Sequence, residues 1–314
     1  MRARVLTTAS LLGVFAGTLP AADPQLMKLV MPDVKLMADI NVAQAKQSPF
    51  GQFLLGQMES AHLQQFTGLT GFDPRSDLME LLIASNGSSG MANSLALVSG
   101  VFNLAAIAAA AQAGGATPEI YRGVTIFFHG GKSEGVAFLN ASIMIAGSAA
   151  NVKAAIDRQT APVTLPASLT AQANQLSVTQ DAWAIFTVSP ATLLPSGSQK
   201  TPPVGGIALP ANVLQQLQSG YAGVKFGSNV ALTVQAQSDT AENAAGLAGL
   251  VQLAGNLAQM QAAKNPDAAA FAKSLIATAQ GTTVNVSASL PAAQFQQLLT
   301  PKAAVKEHLQ GERK

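Results

Sequence analysis

Three stretches of the chain alternate between apolar and polar positions. Val34, Leu36, Ala38, Ile40 and Val42 are interleaved with Lys35, Met37, Asp39 and Asn41. Val230, Leu232, Val234 and Ala236 are interleaved with Ala231, Thr233 and Gln235, and Val284, Val286, Ala288 and Leu290 with Asn285, Ser287 and Ser289. A period of two predicts strands with one buried face and one wet face. Such strands belong to antiparallel sheets, because parallel strands are covered on both sides and read as apolar throughout. Further strands are predicted over 79–84, 95–101, 120–128, 136–139, 143–146 and 182–188.

Helical signals fall between them. Asn103 is placed to cap a helix over 104–113, which the Gly114-Gly115 pair ends. Asp239 or Thr240 opens a long segment reaching about Gln261, with Leu247, Leu250, Val251, Leu253, Leu257 and Met260 as its core-facing stripe. Pro266 stands at the first position of a helix predicted to run to about Ala279. Shorter helices are predicted over 49–58, 149–158, 211–218 and 291–299. The fold class is therefore α+β, an antiparallel sheet with helices packed on one face.

The order of elements suggests two related halves, 32–160 and 181–300. The run Phe138–Ile145 leads into a helix at Ala149, much as Val284–Leu290 leads into one at Pro291. Residues 161–180, rich in Ala, Pro, Thr and Gln, form the connector. Residues 193–210 read as a surface loop and 301–314 as a polar tail.

Composition changes the picture in two ways. Of 314 residues, 48% are hydrophobic but only 11% are charged, less than half the usual share of about 25%. The absence of cysteine excludes disulfides, thiolate metal sites and a cysteine nucleophile. Arg2 and Arg4 precede an apolar run over 5–17 and a small-residue exit ending in Ala21-Ala22. That run is too short for a bilayer span of roughly 20 residues, and the pattern predicts a signal peptide over 1–22, cut after Ala21 or Ala22. The mature chain is then periplasmic or extracellular, and with no cysteine at the cut the lipid-anchored route is closed.

Past the leader, 16 basic residues balance 16 acidic ones, so no electrostatic footprint for nucleic acid or anionic lipid exists. The apolar stretches 95–113 and 244–263 are broken by Asn103, the glycine pair, Gln252, Asn256, Gln259 and Gln261. They are read as packed elements, and no integral membrane span is expected in the mature chain.

The segments Gln47-Ser48-Pro49-Phe50-Gly51-Gln52 and Gly71-Phe72-Asp73-Pro74-Arg75-Ser76-Asp77-Leu78, the second followed by a strand, resemble a group of uncharacterised exported bacterial proteins. The resemblance covers roughly the first half. It implies an exported two-layer protein and carries no catalytic residue with it.

Candidate chemistry is sparse. Gly131-Lys132-Ser133-Glu134-Gly135 has the spelling of a nucleophile elbow, and His129-Gly130-Gly131 mimics an oxyanion-hole motif. A true elbow needs a helix after the serine, whereas a strand is predicted from Val136, which favours a hairpin turn. A phosphate loop ending in Gly131-Lys132-Ser133 fails because Ile126 occupies the required glycine position. His62, His129 and His308 show no metal-ligand spacing. Asp73, Asp77 and Glu80 form the densest acidic cluster, and Asp73 and Asp77 are the candidate metal ligands, although calcium wants six or more oxygens and turn capping accounts for both residues.

Trp183 with Phe186, and Phe127 with Phe128, are expected in the core. The neutral positions Asn41, Thr233, Gln235, Asn285, Ser287 and Ser289 offer a face that could meet a polysaccharide or a protein, or simply water. No cofactor, metal or catalytic set is expected. The leading expectation is a non-catalytic binding or structural module, its partner a cell-envelope protein, a polysaccharide or an apolar ligand. The alternatives are a periplasmic carrier of an apolar ligand and a serine hydrolase using Ser133 with His129.

Overall fold

Antiparallel pairing joins twelve strands into one sheet in the computed structural model, which describes residues 22–57, 61–87, 93–128, 130–131, 133–193, 211–260 and 266–299. In chain order the first elements are α1 (Pro24–Met27), β1 (Leu36–Asn41), α2 (Val42–Ala45), α3 (Pro49–Gln57), α4 (Ala61–Thr70), α5 (Pro74–Asp77), β2 (Leu78–Ser85) and β3 (Ser94–Gly100). Then come α6 (Leu104–Ala113), β4 (Thr117–Tyr121), β5 (Val124–Phe128), β6 (Glu134–Asn140), β7 (Ile143–Ser148), α7 (Ala149–Arg158) and α8 (Ala167–Thr179). The remainder is β8 (Ala182–Phe186), α9 (Ala211–Leu214), β9 (Leu217–Phe226), β10 (Asn229–Ser238), α10 (Ala241–Met260), α11 (Pro266–Ser274), β11 (Ile276–Gln280), β12 (Thr283–Pro291) and α12 (Ala292–Leu299). The predicted leader up to Ala21, the tail and nearly all of the 193–210 loop lie outside the described residues.

The strand order is β11-β12-β10-β9-β8-β1-β2-β3-β7-β6-β5-β4. Read outward from the central β1–β8 pair, one side runs β1, β2, β3, β7, β6 and the other β8, β9, β10, β12, β11. Each side inserts helix between its third strand and the hairpin that follows, α6 on one and α10 with α11 on the other. The β4–β5 hairpin is extra to the first side. The Ala- and Gln-rich segment after Pro166 is the helix α8.

The α+β class and the antiparallel sheet are as expected, but the helices extend over both faces. On one face, Met37, Leu82, Leu97, Ile145, Trp183 and Ile185 are buried beneath α1, α7 and α8. On the other, α2, α3 and α12 meet Phe226 and Val230, α10 covers Val284, and α11 covers Ala288 and Leu290. There α6 packs its Ile107 with Val98 and Phe102.

This two-sided cover inverts the reading of β1. The positions expected to be wet, Met37 and Asp39, are 0% and 5% exposed, while Ala38 and Ile40 are only half-buried. In the second half the alternation holds, with Val230, Ala236, Val284 and Leu290 buried and Ser287 and Ser289 exposed.

Three strands went unread in the sequence. The stretch 120–128 is a hairpin rather than one strand, because Arg122 (φ 49°) and Gly123 (φ 82°) make a tight turn between β4 and β5; glycine takes such angles without steric cost. Strand β9 carries Gly220 and Gly223, and β11 takes the residues assigned to the end of the Pro266 helix.

The stripe of α10 also departs from expectation. Leu247 is buried, but Leu250, Leu253, Leu257 and Met260 are exposed, because α10 meets the sheet through Ala244, Leu247 and Ala248. Leu253→Lys and Leu257→Lys should each change the unfolding free energy by no more than about 0.5 kcal/mol in a urea titration, as surface substitutions do. A loss of several kcal/mol would place that stripe in the core after all.

Candidate functional site

Two features of the central strands stand apart from ordinary packing. The first is an aligned row of side chains on the α3 face. The pairing registers Ala222↔Ala184↔Ala38↔Ile83↔Ala96↔Ala146↔Val136↔Phe127 run without a break across β9, β8, β1, β2, β3, β7, β6 and β5. At about 4.8 Å between strands the row is about 33 Å long. Five of its eight members are alanine, so the floor is recessed.

Helices flank this floor without filling it. At one end of the strands, Phe50 of α3 meets Phe226 and Phe295 at ring distances of 5.3 and 5.2 Å. Towards β3 and β6, Phe102 packs against Phe72 and Phe138. Both clusters pack on the row Val224↔Ala182↔Ile40↔Leu81↔Val98↔Met144↔Phe138, along one side of the floor, and two adjoining open cavities on the floor share Ile83. One, of 320 Å³, is lined by Ala38, Ile40, Leu81, Ala182, Ala184, Ala222 and Val224. The other, of 540 Å³, is lined by Ala96, Ala146, Val136 and Phe127, with Ser94 and Glu134 as its polar members. Both volumes fall in the range of small-molecule sites, roughly 300–1,000 Å³.

The motifs that carried the family resemblance build one wall of this floor. Ser48 Oγ accepts from Gly51 N at 2.9 Å and donates to the Ala45 carbonyl, which starts α3. A side chain on Gly51 would collide with that same carbonyl. Asp73 caps α5 and takes hydrogen bonds from Arg75, which hold its carboxyl below the usual range. Asp77 accepts from the Asp73 amide and the Ser76 hydroxyl. Both acids therefore spend their oxygens on local turn geometry.

The second feature is on the opposite face. Glu80, grouped in sequence with Asp73 and Asp77, instead joins Asp39. Both carboxyls are buried, at 8% and 5% exposure, and the two side chains interact directly. Burial first, and then the Glu80 charge, push Asp39 up to about 9. Glu80 is also raised, chiefly by burial, although the Asp23 amide donates to its Oε1 at 3.0 Å. Asp39 Oδ1 has no hydrogen-bond partner, and neither has Nε1 of Trp183, the residue facing Asp39 across β8. Sequence reading missed this pair because Asp39 falls on the polar phase of an alternating strand; its neighbour Met37 on the same phase was the available signal.

The other candidates are scattered. Ser133 is exposed in the turn between β5 and β6, with a strand on each side, and its carbonyl accepts from the Ala149 amide. His129 and His308 lie outside the described residues, and His62 lies in α4. Trp183 and Phe128 are buried as expected, while Phe127 lines the open floor. Thr233, Gln235, Asn285, Ser287 and Ser289 share one face of β10 and β12, where Gln235 donates to Asn285. Asn41 is apart from them, as the cap of α2. Among the described residues, no group of three or more potential metal ligands is found, and no helix is long and apolar enough to cross a membrane.

No protein-family model matches the chain, and no curated protein matches it. Among solved structures, crystal form III of TP0453 aligns with a TM-score of 0.53 at 11% identity, over 86% of this chain and 96% of that one. The chain is similar in fold to TP0453. Crystal forms IV and I of TP0453 align at 0.49 and 0.48, with 10% and 8% identity, each over 86% of this chain and 94% of the other. At this identity the likeness to TP0453 extends to the fold alone.

Proposed function

We propose that this is an exported, non-catalytic binding protein whose open sheet floor holds an apolar ligand of the acyl-chain type. The observation that supports it is the unbroken row from Ala222 to Phe127, half-buried along most of its length, with packed aromatic rings walling one side of it. Small side chains set the floor below its walls, and an extended chain laid across the strands would fill it. Export is supported by the leader pattern at Arg2, Arg4 and the apolar run that follows.

Each methylene hidden from water contributes about 0.8 kcal/mol, so ten of them give about 8 kcal/mol, near a micromolar dissociation constant. Ser94 and the Glu134 carboxylate edge the larger cavity, a rim suited to a neutral or cationic head group. A sixteen-carbon lysophosphatidylcholine below its micellar concentration is the appropriate probe, with glycerophosphocholine as the chain-free control. Calorimetry should show micromolar binding of the first and none of the second. Ala184→Phe fills the floor from a half-buried position and should weaken binding at least tenfold while leaving the melting temperature nearly unchanged. Equal affinity in wild type and Ala184→Phe would sink the assignment.

A further inference from the structure

The chain immediately after the expected leader is part of the core. Leu26, Leu29, Val30 and Met31 are buried with Leu82, Leu97 and Trp183. The Asp23 amide nitrogen lies 3.0 Å from Glu80 Oε1, beside Asp39 and its unpartnered oxygen. A new chain terminus formed here puts a charged amine at a half-buried position against two buried carboxyls. A buried charge without a partner is strongly unfavourable.

We propose that the leader is removed after Ala22 and that the α-ammonium of Asp23 is seated on the Glu80–Asp39 pair. The inference rests on the export reading above. The step is a hydrolysis: a peptidase of the export machinery adds water across the Ala22–Asp23 bond, leaving a carboxylate on Ala22 and an amine on Asp23 that takes up a proton. Where the amide offers one N–H, the ammonium offers three and a positive charge. That supplies donors for Glu80 Oε1 and for the second carboxyl, and it lets both acids ionise.

Without the ammonium, two buried carboxyls share a site in which burial and mutual repulsion disfavour ionisation. The titratable groups facing the pair are Glu80 from β2, Asp39 from β1 and Asp23 at the head of α1. All three are acids, so the amine is the cation that the site calls for. The pairing also makes removal of the leader a stabilising event, completed only in the processed chain.

The test is to express the full chain with its own leader in a bacterial host, recover the product, and measure its intact mass and amine reactivity. The mass should correspond to a first residue of Asp23. In the folded protein at pH 8 its α-amine should react with an acylating ester at least tenfold more slowly than in urea, and Glu80→Gln should raise the folded-state rate. If Glu80→Gln does not fold, the folded-against-urea comparison of the wild type decides alone. A processed chain that begins at another residue, or an Asp23 amine that labels equally fast folded and in urea, overturns the seat and leaves export standing. A product that keeps all 314 residues overturns both.

Discussion

Phe50→Ala should lower the unfolding free energy by about 3–5 kcal/mol, the usual cost of deleting a buried aromatic ring. Phe50 is 2% exposed and comes from α3, which the chain inserts between β1 and β2 on one side of the sheet. Its ring contacts are Phe53 at 6.2 Å, Phe226 of β9 at 5.3 Å and Phe295 of α12 at 5.2 Å. The last two belong to the other side, so this ring holds the two sides together over the end of β8. Phe295 itself reaches Phe271 of α11, which extends the chain of rings. Urea unfolding measures the loss. A change below about 1 kcal/mol would mean that the cluster repacks around the loss. Phe50→Leu, which keeps most of the volume, should cost clearly less.

The same ring shows what sequence can and cannot tell. Ser48-Pro49 is legible as a helix start and Asp73-Pro74 as a turn, because capping and turn chemistry is local and needs no partner from elsewhere in the chain. Asn103 and Gly114 bound α6 where they were expected to, for the same reason. The alternation of β10 and β12 is legible because one face of that pair is solvated. Strand β1 misleads because it is central. With α1 and α8 over one face and a half-open apolar floor on the other, polarity no longer marks the outside. Strand β9 was invisible because Gly220 and Gly223 interrupt any apolar period; β10 backbone and Phe186 of β8 at Gly220, and Gln180 just after α8 at Gly223, approach too closely for a Cβ.

The candidate sites fall on the illegible side of that division. The alanines of the floor are unremarkable one by one, and only the registers of five strand pairings line them up. The buried acid pair needs Asp39 and Glu80, which are 41 positions apart in number and are brought together by the antiparallel β1–β2 ladder. By contrast, the serine–glycine spelling at Ser133 was easy to read, and it marks a turn. In this chain, short-range motifs report on caps and turns, while the chemically unusual positions arise from pairing over long range.

The unprocessed chain, in which the Asp23 nitrogen is an amide, should lose stability steadily as pH rises from about 4 to about 9. Unfolded Asp39 releases its proton near 4, whereas in the folded protein burial and the neighbouring Glu80 hold the proton up to about 9. Between those values the folded state binds more protons than the unfolded state, so each step up in pH favours unfolding. The contribution is fully present below the unfolded value and is lost as pH passes through the folded one. Asp39→Asn keeps a donor for Glu80 and removes the ionisation. It should match the wild type at pH 5 to within about 1 kcal/mol, the worth of a single hydrogen bond, and exceed it at pH 9. Urea midpoints at pH 5, 7 and 9 read both effects. A wild-type profile as flat as that of Asp39→Asn would show that Asp39 is ionised throughout, and the buried pair would then need a cation already in place. The processed chain should differ in the direction that an ammonium dictates. With a positive charge beside both acids their protons leave at lower pH, so its profile should be flatter than that of the unprocessed chain up to the point at which the amine itself deprotonates.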